Sequence, residues 1–424
     1  MISSSRKNWL WLALGVAACA VSWTYVHRVL LPWEYNVNVT RGQLKAQMGD
    51  LYSPWVGTRE LLLKGRNPYS AEVSHEIQMA FYGHAIDQSY DKPESEIVDE
   101  QRFAYPVYVV FLLAPAVHAD FARLEKWAPV VHGVLVAASV WLWMAVLRWK
   151  PPPAIAAAVA LFALSCPQIA QGLRLRQFGL LVAFLLALAS WCVVREQYFL
   201  AGILLAVSTI KPQMVALAMV WFLIWTIGDW KRRWTLAAGF CLAMSILVGA
   251  GEWLVPDWPR SFLRGLAAYR QYSGAKSLAT VLLGSWVGGL LSLLAGFVLL
   301  NYAWRQRRAC SESPKFLQTL SLFLIAGTVI LPLLPPYNQV ILLLPVAMLI
   351  RDWRSLPRWA RAGFVLLVAW PYVTSLGLLL HPPDLDSLQR VPLLPSALTL
   401  LTPFLVFWLL LSRRERTGPV ASWG

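Results

Sequence analysis

The sequence predicts an all-α, polytopic membrane protein of about twelve transmembrane helices with a large first extracytoplasmic loop. Two observations carry this. Of 424 residues, 58% are hydrophobic and only 14% charged, against about 25% charged in ordinary soluble domains. The 23 Trp, 17 Phe and 14 Tyr suit a membrane boundary, where amphipathic rings settle at the headgroups. A soluble enzyme, a disordered chain and a collagen-like fibre are excluded. The formal charge of +15 would point to nucleic acid in a soluble chain. Here it reads as cytoplasmic loops rich in Lys and Arg.

The elements follow in order. Arg6 and Lys7 precede an apolar run over 9–31, the first span, with a cytoplasmic N-terminus. Val16-Ala17-Ala18-Cys19 resembles a lipoprotein cleavage box, but the run continues past Cys19. Residues 32–102 form the first extracytoplasmic loop, with a short amphipathic helix over 53–64, stopped by Gly65 and turned by Asn67-Pro68. The segment 103–118 contains Pro106 and Pro115 and is short, so it is read as re-entrant or interfacial. Spans follow at 127–147, 154–170 and 178–194. The run 199–227 is broken at Lys211-Pro212 and reads as a hairpin of two helices. Further spans lie at 234–254, 278–300, 316–335, 337–350, 361–380 and 392–411, giving one integral-membrane domain over 1–424.

Charge parity decides the two doubtful segments. With 103–118 not crossing and 199–227 crossing twice, 19 Lys+Arg and 5 Asp+Glu fall inside, a net of +14, and the outer face carries +1. The five cysteines have no CxxC partner, so neither a disulfide framework nor a metal site is expected.

Candidate chemistry lies on the outer side. Asp50 stands just upstream of the 53–64 helix, as a catalytic carboxylate or as a helix N-cap. The link from Gln168 to Phe178 holds Arg174 and Arg176, whose planar forks suit phosphate oxygens or snorkel to the interface. Lys211, flanked by apolar residues and followed by Pro212 and Gln213, is a functional site by default within a membrane segment, or the tip of a hairpin. Arg174, Arg176, Lys211 and Gln213 are the donor-phosphate candidates. The loop 255–277 is basic and aromatic, and Pro335-Pro336-Tyr337-Asn338-Gln339 makes a tight outer turn. Asp384-Leu385-Asp386 leaves a divalent cation open, though no resident cofactor or metal is expected.

The ordered set Asp50, Gly65-Arg66-Asn67-Pro68-Tyr69, Phe103 to Pro106, Gln177 to Leu180, Ala201 to Gln213 and Leu334 to Asn338 resembles glycosyltransferase family 87 of the GT-C superfamily. The resemblance implies a GT-C-like fold and inverting transfer of a mannose- or arabinofuranose-like sugar. The donor would be a polyprenyl-phosphate sugar, and the acceptor an envelope glycolipid or glycan at the outer face of the cell membrane. It makes Asp50 the base and places Asn67, Tyr69, Tyr105, Tyr337 and Asn338 at the substrates. The chain departs from the family pattern with Val107 after Tyr105-Pro106, and with Asn338-Gln339 where some members have a histidine. A lipid-linked saccharide flippase or other transporter, and a polysaccharide polymerase, are the alternatives; no inverted repeat is visible for the former.

Overall fold

The computed structural model describes residues 4–40, 48–83, 101–273, 276–332, 335–386 and 389–413, and every regular element among them is helical. Helix α1 (Ser4–Tyr25) passes through a π-helical turn, Val26–Leu30, into α2 (Leu31–Thr40). The helix thus continues to Thr40, through residues that the sequence assigns to the first loop. Pro32 lies in the first turn of α2 and does not end the helix. Helix α3 (Tyr52–Lys64) ends where expected: Gly65 takes φ +66° and its N–H reaches the Leu61 carbonyl at 3.0 Å, a left-handed cap that glycine adopts without penalty. Helix α4 (Ala71–Tyr82) was not foreseen. Ser70 caps it by accepting from the Val73 N–H, and Val73, Ile77 and Phe81 are buried along one face. Residues 41–47 and 84–100 of the expected loop lie outside the described residues.

Helix α5 (Val109–Leu113) and the 3-10 turn Ala114–Ala116 form the 103–118 segment. Five helical residues reach only about 7.5 Å, too short to cross. The chain continues through α6 (Phe121–Val146), α7 (Pro153–Ser165) and α8 (Pro167–Arg174), the last two bent by 63° at Pro167. Then come α9 (Phe178–Val194), α10 (Tyr198–Ser208), α11 (Pro212–Gly228) and α12 (Trp230–Leu254). The break between α10 and α11 falls at Lys211-Pro212 because Pro at the first helical position has no N–H to continue the ladder. Beyond them lie α13 (Trp258–Ser273), α14 (Leu278–Leu283), α15 (Ser285–Gln306), α16 (Pro314–Ile330), α17 (Leu343–Arg351), α18 (Arg358–Leu380) and α19 (Thr402–Leu411).

Five helices among the described residues are long and apolar enough to cross a membrane: Lys7–Thr40, α6, α12, α15 and α18. The bent α7–α8 pair makes a sixth. The count of twelve is not reached by this measure. Six further apolar helices are only 10–17 residues long, about 15–26 Å at 1.5 Å per residue, against a hydrocarbon core of about 30 Å. Proline explains two of the shortfalls: 3-10 turns that contain Pro, Pro336–Leu342 and Val391–Ser396, precede α17 and α19.

Close packing joins the short helices to the long ones. Gly202 of α10 and Gly239 of α12 face each other so closely that a Cβ on either would strike main chain of the other helix. Small residues at such crossings let backbones approach where hydrophobic driving force between helices is weak. One apolar cluster extends from Leu51 to Leu410.

Polar contacts separate into two sets. In the first, Arg148 pairs with Glu312, Arg232 with Glu196, and Arg413 with Asp352 at 2.6 Å, while Arg351 donates to the Leu147 carbonyl. In the second, Arg174 pairs with Glu34, the Tyr108 hydroxyl meets Thr209, and Gln339 donates to the Thr399 carbonyl. Each of α6, α9, α10, α11 and α16 runs from one set towards the other.

Arg233 closes the first set. Its guanidinium lies 3.8 Å from the Trp225 ring centroid and donates to the carbonyls of Trp225, Arg307 and Ala309 at 2.6, 2.9 and 3.1 Å. It thereby ties the α11–α12 turn to the α15–α16 turn. Hydrogen bonds to a charged group contribute about 1.5–3 kcal/mol each, and lysine cannot reproduce the planar fork. Arg233→Lys and Arg233→Ala are both expected to lower the thermal unfolding midpoint of the detergent-purified protein, Ala more. Unchanged midpoints in both would show that the clamp contributes nothing.

Candidate functional site

Asp50 is held by its backbone. Its N–H donates to the Leu175 carbonyl at 2.9 Å, which fastens the start of α3 to the α8–α9 link. Gly49 makes that approach possible. It has φ +70°, and a Cβ there would lie 2.9 Å from Arg176 Nη1 and 3.0 Å from the Leu175 oxygen. The N-cap position of α3 belongs to Leu51, which makes no side-chain cap. Asp50 is thus one residue outside the position that a capping role requires.

Lys211 sits at the N-terminus of α11, only 7% exposed. Its Nζ donates to Gln177 Oε1 at 2.8 Å and lies 4.7 Å from the centroid of the Tyr337 ring. Gln177, itself 2% exposed, is the N-terminal flank of α9. Gly179 leaves the space beside them: a Cβ there would lie 3.0 Å from Met214 Sδ and 3.7 Å from Lys211 Nζ. Burial pulls the Lys211 ammonium down to about 8, and the charge of Asp50 works in the opposite direction. The same carboxylate is felt by Tyr105, whose phenol is pushed up first by burial and then by Asp50. Asp50, Lys211 and Tyr105 therefore share one electrostatic environment, with Gln177 and Tyr337 in contact with the lysine.

The two arginines are placed differently. Arg174 makes a two-pronged pair with Glu34, at 2.7 and 3.1 Å. Arg176 pairs with Glu125 at 2.8 Å and reaches the Met48 carbonyl at 3.5 Å. Neither shares a direct partner with Lys211 in these contacts. Arg174 instead lines a cavity formed by α1, α8, α18 and the turn before α19. Both are largely covered, at 14% and 15% side-chain exposure, so neither snorkels. Gln213 is half-buried in the first turn of α11.

Asn67 is exposed, and its side chain accepts from the Tyr69 N–H at 2.9 Å, the local bond by which Asn stabilises a turn. Tyr69 donates to the Tyr105 carbonyl at 2.7 Å and packs edge-on against Phe103 at 5.1 Å. It anchors the α3–α4 turn to the segment that carries Tyr105. Tyr105 packs edge-on against Phe178 at 5.4 Å. Asn338 is 3% exposed, and its Oδ1 has no hydrogen-bond partner among the described residues. Leu334, the first residue of that motif, lies outside the described residues. Asp384 and Asp386 lie in a loop where Asn36 donates to Asp386 at 2.9 Å. Among the described residues no group of three or more His, Cys, Asp or Glu could hold a metal ion.

Sequence reasoning missed Gln177 as the partner of Lys211, and Glu34 and Glu125 as partners of the arginines. For the first, the signals were an amide next to a basic pair and its place at the head of the Gln177 to Leu180 motif. For Glu34 and Glu125 there was none, since 140 and 51 positions separate them from their arginines. Tyr108, whose hydroxyl donates to the Thr209 carbonyl at 3.1 Å and meets the Thr209 hydroxyl at 2.7 Å, was also missed. It steadies the link that presents Lys211.

A family model described as glycosyltransferase family 87 matches residues 103–332, just over half of the chain. The match includes Tyr105, Gln177 and Lys211, while Asp50 and Tyr337 lie to either side of it. No curated protein and no solved structure matches.

Proposed function

The chain belongs to glycosyltransferase family 87, and we propose that this multi-pass membrane glycosyltransferase transfers a mannose- or arabinofuranose-like sugar from a polyprenyl-phosphate donor to an envelope glycolipid or glycan. Membership favours group transfer over the transporter and polymerase alternatives. The observation that carries the donor class is Lys211, a buried cation beside a carboxylate, flanked by two helix N-termini. The N-termini of α9 and α11 meet through the Lys211–Gln177 bond, and helix N-termini favour phosphate. Apolar helices on either side supply a low-dielectric surface along which a polyprenyl chain can lie.

In the proposed reaction Asp50 takes the proton from an acceptor hydroxyl. The hydroxyl oxygen bonds to the anomeric carbon from the face opposite the phosphate. The carbon–oxygen bond to phosphate breaks, and its electron pair leaves on polyprenyl phosphate. Lys211 stabilises the charge developing on that leaving oxygen, with Arg176 and Gln213 as neighbours available to the phosphate. Tyr105 and Tyr337 border the sugar, and Tyr69 and Asn67 shape the turn behind Tyr105. Arg174 is assigned elsewhere. The test is transfer of radiolabelled sugar from a polyprenyl-phosphate donor in membranes containing the protein. Absence of transfer with every such donor sinks the donor assignment.

We place this centre on the extracytoplasmic side of the cell membrane, with twelve crossings. The two sets of polar contacts support it, because the basic clusters expected inside meet one another and not the Asp50–Lys211 centre. Reporter fusions at residues 90 and 265 are expected to read external, and at 150, 232 and 310 cytoplasmic. An external signal at 150 overturns the arrangement.

A further inference from the structure

The cavity that holds Arg174 is unused by the reaction as drawn. Its wall includes Tyr25, Glu34, Gln171, Arg174, Ser375 and Ser396. Tyr25 and its neighbour Val26 stand at the entry to the π-helical turn, and such turns inside α-helices often mark functional sites. The Tyr25 hydroxyl donates to the Pro392 carbonyl, which joins α1 to the turn before α19. Pro336 also borders the cavity, and the next residue, Tyr337, lies against Lys211. The cavity and the Lys211 centre therefore share a wall.

Three features define what the cavity can take. Arg174 is matched by the Glu34 carboxylate, so the pair presents no net charge and an anion gains little. Gln171 Oε1 is buried and has no hydrogen-bond partner among the described residues. A buried carbonyl left unpaired costs about 1–3 kcal/mol, so it calls for a donor. The remaining wall mixes hydroxyls with apolar residues on α1 and α18, helices whose apolar windows are mostly unburied. Carbonyl and carboxylate acceptors beside a lipid-facing apolar wall match a head group rich in hydroxyls that carries a hydrocarbon tail.

We propose that this cavity binds the sugar head group of the acceptor glycolipid, with Gln171 and Glu34 accepting hydrogen bonds from its hydroxyls. The assignment rests on the glycosyltransferase reading and gives it an acceptor subsite apart from the donor phosphate. The whole protein in nanodiscs would be titrated with n-octyl α-mannoside and n-octyl β-glucoside. Octyl phosphate and an octyl oligo-oxyethylene would serve as probes without a sugar. Binding would be read by calorimetry.

At least one glycoside is expected to bind the wild type. Gln171→Leu and Glu34→Gln should each weaken it about tenfold, the equivalent of about 1.4 kcal/mol. Arg232→Gln, in the first polar set and remote from the cavity, should leave it within about twofold of wild type. Glu34→Gln keeps a hydrogen bond to Arg174 and so guards against a folding defect in Gln171→Leu. Failure of both glycosides to bind, or equal binding by both cavity variants, overturns the proposal. So does equal binding of the oxyethylene tail or of octyl phosphate, which would mean a lipid groove or an anion site. Glycoside binding without sugar transfer from any polyprenyl-phosphate donor would reject the donor reading while keeping the cavity.

Discussion

Asp50→Asn is expected to reduce sugar transfer by about 10²- to 10⁴-fold, the range that a positioned general base contributes. The fold should survive, because Asp50 is fastened through its own N–H to the Leu175 carbonyl and Leu51 holds the cap position of α3. Neither depends on the carboxylate. A helix-capping role makes the opposite forecast, since Asn caps nearly as well as Asp. Near-normal turnover in a variant with an unchanged unfolding profile would reject the base assignment. A second effect follows from the shared environment. The Asp50 charge favours the protonated form of Lys211, so its removal should shift the alkaline fall in donor affinity to lower pH. The residual rate of Asp50→Asn should thus need a lower pH than wild type for half-maximal donor saturation at fixed donor concentration.

Lys211→Met should lower kcat/KM for the donor by about 10²- to 10³-fold, the scale set by removing one preorganised donor at a developing oxyanion. The change also leaves Gln177 Oε1 without its 2.8 Å partner, so unfolding should be measured alongside activity. Lys211→Arg would keep the charge but place a larger, planar head group beside Gln177 and Tyr337. It is expected to retain stability better than transfer. In the wild type the cationic form is lost as pH rises through the depressed value of about 8. Donor affinity should therefore be full below that value and decline above it. A flat donor KM from pH 6 to 10 would show that Lys211 does not meet the phosphate.

Much of the architecture was legible in the sequence because it follows from local chemistry. Gly65 had to stop α3, and Pro212 had to open a helix, since each residue acts on its own backbone. The apolar run 178–194 coincides with α9, where no proline interrupts a uniform stretch. The sequence ends the first apolar run at residue 31, whereas the helix continues through Pro32 to Thr40, a proline in the turn after a π bulge being accommodated within it. Helix α4 was missed because its one buried face, Val73, Ile77 and Phe81, is thin for an isolated amphipathic signal. The apolar run 154–170 reads as one span, but the chain is redirected by 63° at Pro167, which turns α8 towards the site.

The sequence by itself determined the environment of this protein and the types of residue available for its chemistry. Hydropathy and charge parity are sums over the chain, so they need no knowledge of contacts. Tertiary structure decided which charges meet. Arg174 and Arg176 look equivalent two positions apart, yet one faces Glu34 and the other Glu125. Successive backbone directions and a positive φ at Arg176 send the two side chains apart. Lys211 and Asp50 are 161 positions apart and influence each other only because the α8–α9 link binds both, Leu175 by main chain and Gln177 by side chain. Coulomb interaction depends on distance and on the dielectric between charges, and only the folded chain sets either.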